Sequence, residues 1–257
     1  MSARSILQTA CILIGATMTP LAATAQDGLS FTLGLGGQVA PSYFGADSYS
    51  IGPTGALSVQ RFSFGSLQFG SSDPNAEKLG FGLRGAFRVV GARKASDHVE
   101  LTGLTDLKTS VELGMGLGYE APQWRAFADL RYGVIGHKST VAEIGADWKF
   151  VATPDLKLSV GPRLLYGSSR YNRTYFGVTA AESVASGLAS FTPASGLVSS
   201  GIELGATYKL NDQWAVEGTL NYDRLQGDAA KSPITGLGSR DQGSVSVVLT
   251  RRFNLVF

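Results

Sequence analysis

The sequence is poor in the residues from which disulfides, thiolate metal sites and histidine sites are built. It has one cysteine, Cys11, and two histidines in 257 residues. Cys11 lies inside an expected export signal, so the mature chain is expected to contain no cysteine and to form no disulfide. His98 and His137 are far apart in the sequence and have no metal-ligand spacing. The sequence therefore predicts no metal site and no cofactor.

Charge is also scarce and is evenly balanced. Charged residues make up 16% of the chain, below the roughly 25% of a typical soluble domain. The net charge of +2 gives no basic footprint for nucleic acid, which is excluded as a partner. No segment after the signal approaches about 18 consecutive apolar residues, so the mature sequence predicts no membrane-spanning helix. A closed barrel is the remaining way for it to cross a membrane.

The first 25 residues have the organisation of an export signal. Arg4 gives a positive start, residues 6–18 form a short apolar stretch, and residues 23–25 read Ala-Thr-Ala, a cleavage site of the A-x-A type. Cleavage is expected before Gln26. No linker or low-complexity tract divides the remainder, so residues 26–257 are expected to form one domain.

Apolar and polar residues alternate along much of the mature chain. Between Trp214 and Tyr222, every second residue falls on an apolar face, and Glu217 and Thr219 fall on the other. A period of two is typical of a strand. Aromatic residues near both ends of the apolar face predict a strand crossing a bilayer, with a wet lumen behind it. Residues 111–119, 124–132 and 144–150 repeat the pattern.

The alternation predicts an all-β fold, a transmembrane antiparallel up-and-down β-barrel of about ten strands. The predicted strands are 28–39, 51–69, 78–91, 108–120, 123–135, 139–151, 155–170, 196–210, 214–226 and 241–253. Longer connections are expected near 40–50, 92–107, 171–195 and 227–240. Within 51–69 the phase changes, which indicates either a bulge or a turn at Arg61. About twelve strands is the alternative, if 92–107 contains another.

The end of the chain predicts an assembly signal. Val245, Val247, Leu249 and Phe253 share one face of the last strand, and the barrel assembly machinery reads such an apolar strand with a terminal aromatic. Arg251 falls on the same lipid-facing side, where an arginine costs about 2–4 kcal/mol at mid-membrane and little at the interface. The strand is therefore expected to end at Phe253, with residues 254–257 as a short extension.

With these residues placed, the chain resembles the MipA/OmpV family of outer-membrane proteins, named partly for a scaffolding protein that binds a murein hydrolase. The resemblance is carried by segments 43–47, 103–106, 136–137, 175–179, 182–188, 211–214 and 227–234. It implies location in the outer membrane and roles in murein scaffolding, adhesion or small-molecule passage. The loop residues that match family motifs are Tyr175, Phe176, Gly177, Ser186, Gly187, Asp228, Ser232 and Pro233.

Charged residues of both signs fall on the predicted lumen side. They are Arg84, Arg88, Glu112, Arg125, Asp129, Arg131, Glu143, Asp147, Lys149, Lys157, Arg163, Glu203, Glu217 and Asp223. In a narrow barrel they can pair and fill the interior; the alternative is a pore lined by charge. Antiparallel pairing predicts that Arg131 faces Glu143 and that Arg125 approaches Asp147 or Lys149. The 171–195 loop is expected to face a partner or to fold into the lumen.

One pair of residues also admits a catalytic interpretation. His137 and Ser139 are two apart on a strand and could meet as base and nucleophile, with Glu143 as the acidic orienter. Against this, the connection looks too short to present a cleft, so the protein is predicted not to be an enzyme. His98 is expected to be solvated.

Three functions are therefore considered. The favoured one is an outer-membrane scaffold or envelope-interaction protein, whose partners are outer-membrane lipid, the assembly machinery and a murein hydrolase or synthase complex, or a host surface. The alternative is a narrow channel for small solutes or antibiotics. The third is a membrane-embedded lipid hydrolase using His137 and Ser139.

Overall fold

The computed structural model describes residues 28–64, 67–70 and 79–256; the predicted export signal lies outside them. The described strands form one antiparallel sheet, with the order β3-β2-β1-β11-β10-β9-β8-β7-β6-β5-β4. Its strands are β1 (Gly28–Pro41), β2 (Tyr49–Phe64), β3 (Leu67–Gly70), β4 (Gly80–Val90), β5 (Ser110–Glu120), β6 (Trp124–Ile135), β7 (Thr140–Thr153), β8 (Leu156–Gly167), β9 (Gly196–Lys209), β10 (Trp214–Leu225) and β11 (Asp241–Val256).

The sheet curls until its two edges approach each other. Cα atoms of β2 and β4 come within 8 Å, although these strands are at opposite sides of the strand order. Short connections such as 121–123 and 210–213 lie at one end, which we call the turn end. The long connections lie at the other, the cap end. Gly28 pairs with Val256, so the first and last described strands meet at the turn end.

The predicted up-and-down barrel architecture is confirmed, with ten long strands near the predicted positions. The difference lies in 51–69, which contains two strands, β2 and β3. The predicted bulge is present, and the segment is also divided into two strands. Ser30 pairs with Arg61 and Phe31 with Val59, so residue 60 is a bulge. β3 pairs antiparallel with β2, with Phe64 opposite Leu67 and Arg61 opposite Gly70, so the predicted turn at Arg61 is wrong. The twelve-strand alternative is wrong too, because 92–107 holds only two 3₁₀ turns, Ala95–Asp97 and Val99–Leu101, and an isolated bridge.

The predicted end of the last strand is also wrong. β11 continues to Val256, because β1 offers it a pairing edge as far as Gly28. Ser30 Oγ donates a hydrogen bond to Asn254 Oδ1 at 2.6 Å across this extension. Arg251 lies on the outer face, with its guanidinium carbon 5.2 Å from the Trp214 ring centroid and 5.0 Å from that of Phe253. Cation–π contact with these rings gives the charge a favourable place on the surface.

The predicted outward residues are the exposed ones. Leu113, Met115, Leu117, Leu130, Ile144 and Leu220 are all exposed, while the alternate positions turn inward. Exposed aromatic residues occur near both strand ends. Those toward the turn end are Phe81, Trp124, Trp148, Phe150 and Tyr208; those toward the cap end are Tyr49, Tyr132, Tyr166 and Tyr222. An apolar band between two aromatic girdles is typical of a barrel in a bilayer.

The long connections fold into a packed layer over the cap end. We call residues 42–48, 91–109, 168–195 and 226–240 the cap. It contains helices α1 (Ser169–Phe176), α2 (Ala180–Ser186), α3 (Gly227–Lys231) and α4 (Pro233–Gly236).

Local sequence signals explain where these helices begin and end. Thr179 and Glu182 form a capping box at the start of α2, and Gly187 ends it in the left-handed conformation with φ 77°. Proline at the first position of α4 suits a helix start.

Two clusters of buried side chains hold the cap in place. One joins barrel residues to α1 and α3: Val141, Leu165, Val198, Leu225, Tyr171, Tyr175, Phe176 and Ala229. The other joins the cap segments to one another: Tyr43, Ala46, Leu101, Leu104, Val178 and Ile234. Fully burying a side chain of this size contributes about 1.5–3 kcal/mol, so the cap is an integral part of the fold.

Among the described residues, no helix has the length and apolar character needed to span a membrane.

Candidate functional site

A buried ion network lies directly beneath the cap, centred on Glu112 of β5. Its carboxylate is fully buried and accepts hydrogen bonds from Arg88 Nη2 at 2.8 Å and from Arg131 Nε at 3.0 Å. Arg131 Nη2 also donates to Glu143 at 2.7 Å, the partner that the strand register predicted. Because each buried charge has an opposite charge and hydrogen bonds, the network is stable without solvent.

His137 and Ser139 join the same network. Ser139 N–H donates to His137 Nδ1 at 3.2 Å, which makes Nδ1 the acceptor and leaves the proton on Nε2. Nε2 then donates to Glu112 at 3.2 Å, and the Ser139 hydroxyl lies 2.6 Å from Nδ1. This is the order of nucleophile, base and acidic orienter that hydrolases use. The acidic member is Glu112, however, and the expected orienter Glu143 is wrong.

The serine and the histidine are closed off from solvent. Both lie in the short connection between β6 and β7, where His137 is 6% exposed and Ser139 4%. The rings of Tyr171 and Tyr175 lie against the imidazole, with centroids 5.1 and 5.8 Å away. Glu112 also pairs with two arginines, so these contacts connect the barrel to the cap.

The cap is attached to this network by further hydrogen bonds. Arg88 Nη2 donates to the Tyr171 hydroxyl at 2.9 Å, and the Tyr175 hydroxyl donates to Ser110 Oγ at 3.1 Å. Ser232 Oγ donates to the Phe176 carbonyl at 2.7 Å, which ties α1 to the start of α4. The ion network and the cap therefore form one unit that closes the barrel at this end.

A second ion network crosses the middle of the lumen wall. Arg125 Nε donates to Asp147 at 2.6 Å, the pairing that the antiparallel register predicted. Arg163 Nη2 donates to the other oxygen of Asp147 at 2.7 Å and to Glu203 at 2.6 Å. Lys149, the other candidate partner of Arg125, instead pairs with Glu120 at 2.5 Å. Four neighbouring strands, β6 to β9, are thereby linked by charge.

Arg84 lies between the two networks. Its Nε is 3.2 Å from Asp129 Oδ1, and its guanidinium carbon is 4.0 Å from the centre of the Phe127 ring. Arg163 approaches the same ring, at 5.2 Å. The side chain of Arg84 is 36% exposed and that of Arg125 is 40% exposed, although both face inward. The middle of the lumen therefore contains space that solvent reaches.

Two glycines of β5 allow the neighbouring strand β6 to approach closely. A Cβ atom at Gly116 would lie 1.9 Å from Asp129 Oδ1, and one at Gly114 would lie 1.9 Å from the Leu130 carbonyl oxygen. Both distances are far below any permitted contact. Gly116 is thus required by the Asp129 side chain that lies across it, and Gly114 by the close backbone of β6.

The opposite wall of the lumen differs in character. Glu217 and Asp223 of β10 face inward and form no ion pair with a described residue. Asp223 Oδ1 lies 3.4 Å from Ser199 Oγ, which donates to it. Lys157, the remaining predicted lumen cation, has an interaction partner. Carboxylates without a counter-charge therefore lie across the lumen from the arginine networks.

The motif loop residues are structural parts of the cap. Tyr175 and Phe176 are buried on α1, Gly177 ends that helix, and Ser186 and Gly187 end α2. Asp228 accepts a hydrogen bond from the Ala194 backbone N–H at 2.9 Å, and Pro233 begins α4. Of the two roles expected for the 171–195 loop, its α1 portion folds onto the lumen.

The capping carboxylate of α2 has an altered acidity. Burial alone would raise the pKa of Glu182, but hydrogen bonds from the backbone N–H groups of Thr179 and Thr105 outweigh it and lower the pKa to about 2. Glu182 therefore joins the 91–109 segment to α2 as a carboxylate at all but strongly acidic pH. His98 is also tied to the cap, with Nδ1 3.6 Å from Glu100 and its ring 5.1 Å from Tyr43, rather than freely solvated.

Residues 33–253 match the protein family described as MltA-interacting protein MipA. The chain belongs to this family. Two curated relatives named MltA-interacting protein, from Escherichia coli K12 and from Shigella flexneri, are each 32% identical over 98 residues. Each match covers 38% of this chain and 38% of the relative. This MipA-family chain thus spans well under half the length of those relatives at recognisable identity.

Solved structures resemble the chain more loosely. An outer membrane channel from Pseudomonas putida F1 has a TM-score of 0.45 at 10% identity, over 90% of this chain and 98% of the channel. The NanC porin has a TM-score of 0.36 at 8% identity, over 87% and 98%. The CymD monoaromatic hydrocarbon channel has a TM-score of 0.35 at 12% identity, over 90% and 89%. Similarity at this level transfers no function.

The MipA-family chain is an outer-membrane protein. Its antiparallel strands carry an apolar outer band between two aromatic girdles, and such strand-built proteins reside in the outer membrane. Barrels of this kind place their short turns in the periplasm and their long loops outside. This pattern predicts that the turn end faces the periplasm and the cap faces the exterior.

Proposed function

We propose that this barrel is a non-catalytic scaffold of the outer membrane that holds a murein enzyme of the MltA kind at its periplasmic face. The observation that carries the proposal is the closed cap end, where Glu112, His137 and Tyr171 join barrel and loops in one buried unit. Such a unit stabilises a platform and leaves no cleft at Ser139. The curated relatives bear the name MltA-interacting protein, which suggests the class of partner.

The position of the partner follows from the orientation of the barrel. Murein lies in the periplasm, so a murein enzyme meets the turn end and not the cap. The turns around Asp155 and Asp212 are exposed there, and the Asp212 side chain is 94% exposed. These turns are the proposed contact surface.

Capture of purified MltA by the detergent-solubilised barrel tests this surface. Reversing charge on two turns, with Asp155→Arg and Asp212→Arg together, is expected to weaken capture. The matched control is Val184→Arg on the exposed face of α2 at the cap end, which should capture MltA as well as the unaltered protein. Loss of capture in the control alone, or no capture by the unaltered barrel, would contradict the proposal.

The absence of catalysis is tested separately. His137→Ala and Ser139→Ala barrels are expected to show the same background hydrolysis of phospholipid and lipid A as the unaltered protein. A hydrolytic activity that both substitutions remove would instead favour the lipid hydrolase.

A narrow channel is the second candidate, because the inward-facing Arg84 and Arg125 remain partly exposed to solvent. Single-channel recording separates it from a scaffold. The closed cap leads us to expect little conductance, which should increase when Arg131 and Glu143 are both replaced by alanine and the buried network opens. Large, steady conductance in the unaltered protein would favour the channel.

A further inference from the structure

The lumen is a chamber that is closed at the cap end and wet toward the turn end. Tyr171 and Phe176 are fully buried where the cap meets the barrel. Toward the other end, Ser58 of β2 and Thr207 of β9 fall on the inward side and are nevertheless exposed. Solvent therefore enters the described part of the lumen from the periplasmic side and meets a closed end beneath the cap.

One wall of this chamber carries two arginine side chains that each contact a single carboxylate. Arg84 and Arg125 each contact a carboxylate through Nε, at 3.2 and 2.6 Å. More than a third of each side chain is exposed, at 36% for Arg84 and 40% for Arg125. A guanidinium whose two Nη atoms face water can receive a carboxylate in bidentate fashion.

The facing wall presents carboxylates that lack a counter-charge. Glu217 of β10 is four strands away from Arg125 of β6 in the sheet order, and both fall on the inward side, so the curled sheet places them on opposite walls of the lumen. Asp223, further along β10, likewise has no ion pair with a described residue. Cationic and anionic side chains thus lie on opposite walls of the lumen.

Small polar residues also line the inner face beside Glu217. Register places Thr219 of β10 beside Gly205 and Ser246, and places Ser159 of β8 beside the same Gly205. These hydroxyl groups can hydrogen-bond a peptide amide. Each of the two arginines is already matched by one carboxylate, so a plain anion gains little there and is repelled by Glu217. A plain cation is repelled by Arg84 and Arg125.

We infer that the chamber binds small zwitterionic solutes, of the class of short peptides, that enter from the periplasm. The solute carboxylate lies on the Nη atoms of Arg125 and Arg84, and its ammonium group lies toward Glu217. A transverse field between opposite walls orients such a dipolar solute and excludes singly charged ones. This site goes beyond the scaffold role and does not depend on it.

The test compares three probes on the whole mature protein in a nonionic maltoside detergent, since zwitterionic detergents would compete. The probes are glycylglycine, N-acetylglycylglycine, which is an anion, and glycylglycine amide, which is a cation. Calorimetry or ligand-observed NMR should show glycylglycine binding at least about 10-fold more tightly than either, as expected when one charge-assisted hydrogen-bond group is lost. Equal affinities for the three, or no binding of glycylglycine, would overturn the inference without any variant.

Two substitutions then locate the site. Arg125→Gln and Glu217→Gln are each expected to weaken glycylglycine binding about 10-fold. The control Arg224→Gln removes an arginine of β10 that pairs with Asp241 at 3.3 Å near the cap end, and it should bind glycylglycine normally. Heat-modifiable mobility on gels verifies that each variant is folded. Unchanged binding in folded Arg125→Gln and Glu217→Gln barrels would place the solute elsewhere and refute the inference.

Discussion

Replacing Glu112 by glutamine removes a buried charge while leaving the size of the side chain almost unchanged. The carboxylate has no solvent exposure and accepts hydrogen bonds from Arg88, Arg131 and His137. In the Glu112→Gln variant, one carboxylate oxygen becomes an amide NH₂ group that faces these donors. Two arginines then lose their shared counter-charge in a region that water does not reach.

Removing one partner of a buried ion pair typically costs about 3–5 kcal/mol, because the other charge remains desolvated. The same substitution at Glu120, eight residues along β5, provides the matched control. Glu120 pairs with Lys149 at 2.5 Å, but the two side chains are 37% and 25% exposed. An exposed pair contributes about 0–1 kcal/mol, so Glu120→Gln should be nearly neutral.

Reversible urea unfolding in lipid vesicles, followed by tryptophan fluorescence, measures both free energies. With a slope of about 1–3 kcal/mol per molar urea, the Glu112→Gln midpoint should fall by about 1 M or more. Because Arg88 also holds Tyr171, limited proteolysis should cut the cap earlier in this variant. Equal losses for Glu112→Gln and Glu120→Gln, or a loss below about 1 kcal/mol for Glu112→Gln, would refute the central role of the network.

Three further predictions concern the outer face, the β5 glycines and the cap. Leu220→Arg places a charge on the lipid face and should lower the free energy of unfolding by about 2–4 kcal/mol. Thr219→Arg, toward the lumen, should lower it much less in the same assay. Equal losses would mean that the assigned facing of the strand is wrong. Gly116→Ala should cost about 1–3 kcal/mol by overpacking, while Gly82→Ala, whose Cβ meets nothing within 4 Å, should cost little. Since the folded pKa of Glu182 is lowered to about 2 from 4.5, its stabilisation is complete above pH about 4.5 and is lost as the pH falls toward about 2. The melting difference between the unaltered protein and Glu182→Gln should therefore shrink over that range, and a constant difference would contradict the assignment.

The alternation of apolar and polar residues and the positions of the connections were enough to predict the barrel, because both depend only on residues close together in the sequence. Leu220 and Thr219 fall on opposite faces of a strand whatever the strand pairs with. The ion pairs of Arg131 with Glu143 and of Arg125 with Asp147 were also predictable, since a short connection fixes the register of β6 on β7 to within a residue or two.

The cap could not be predicted in the same way. Residues 171–195 have little hydrophobic periodicity, and α1 and α2 are too short to be stable alone. α1 forms because Tyr171 and Phe176 are buried in a cluster with Val141 of β7 and Val198 of β9, which lie 20 or more residues away. Glu112 was recognised as a lumen residue, but nothing in the sequence showed that it would bind His137, 25 residues away.

The sequence by itself determined the strands, their two faces and the sign of each charge in the lumen, because these follow from the local chain and a period of two. Only the tertiary structure decided which charges meet. Curling the sheet brings β10 opposite β6, and only then do Glu217 and Arg125 face one lumen. Folding the long connections onto one end then buries Glu112 completely and leaves Arg125 40% exposed, although both are charged residues on the inner face of neighbouring strands.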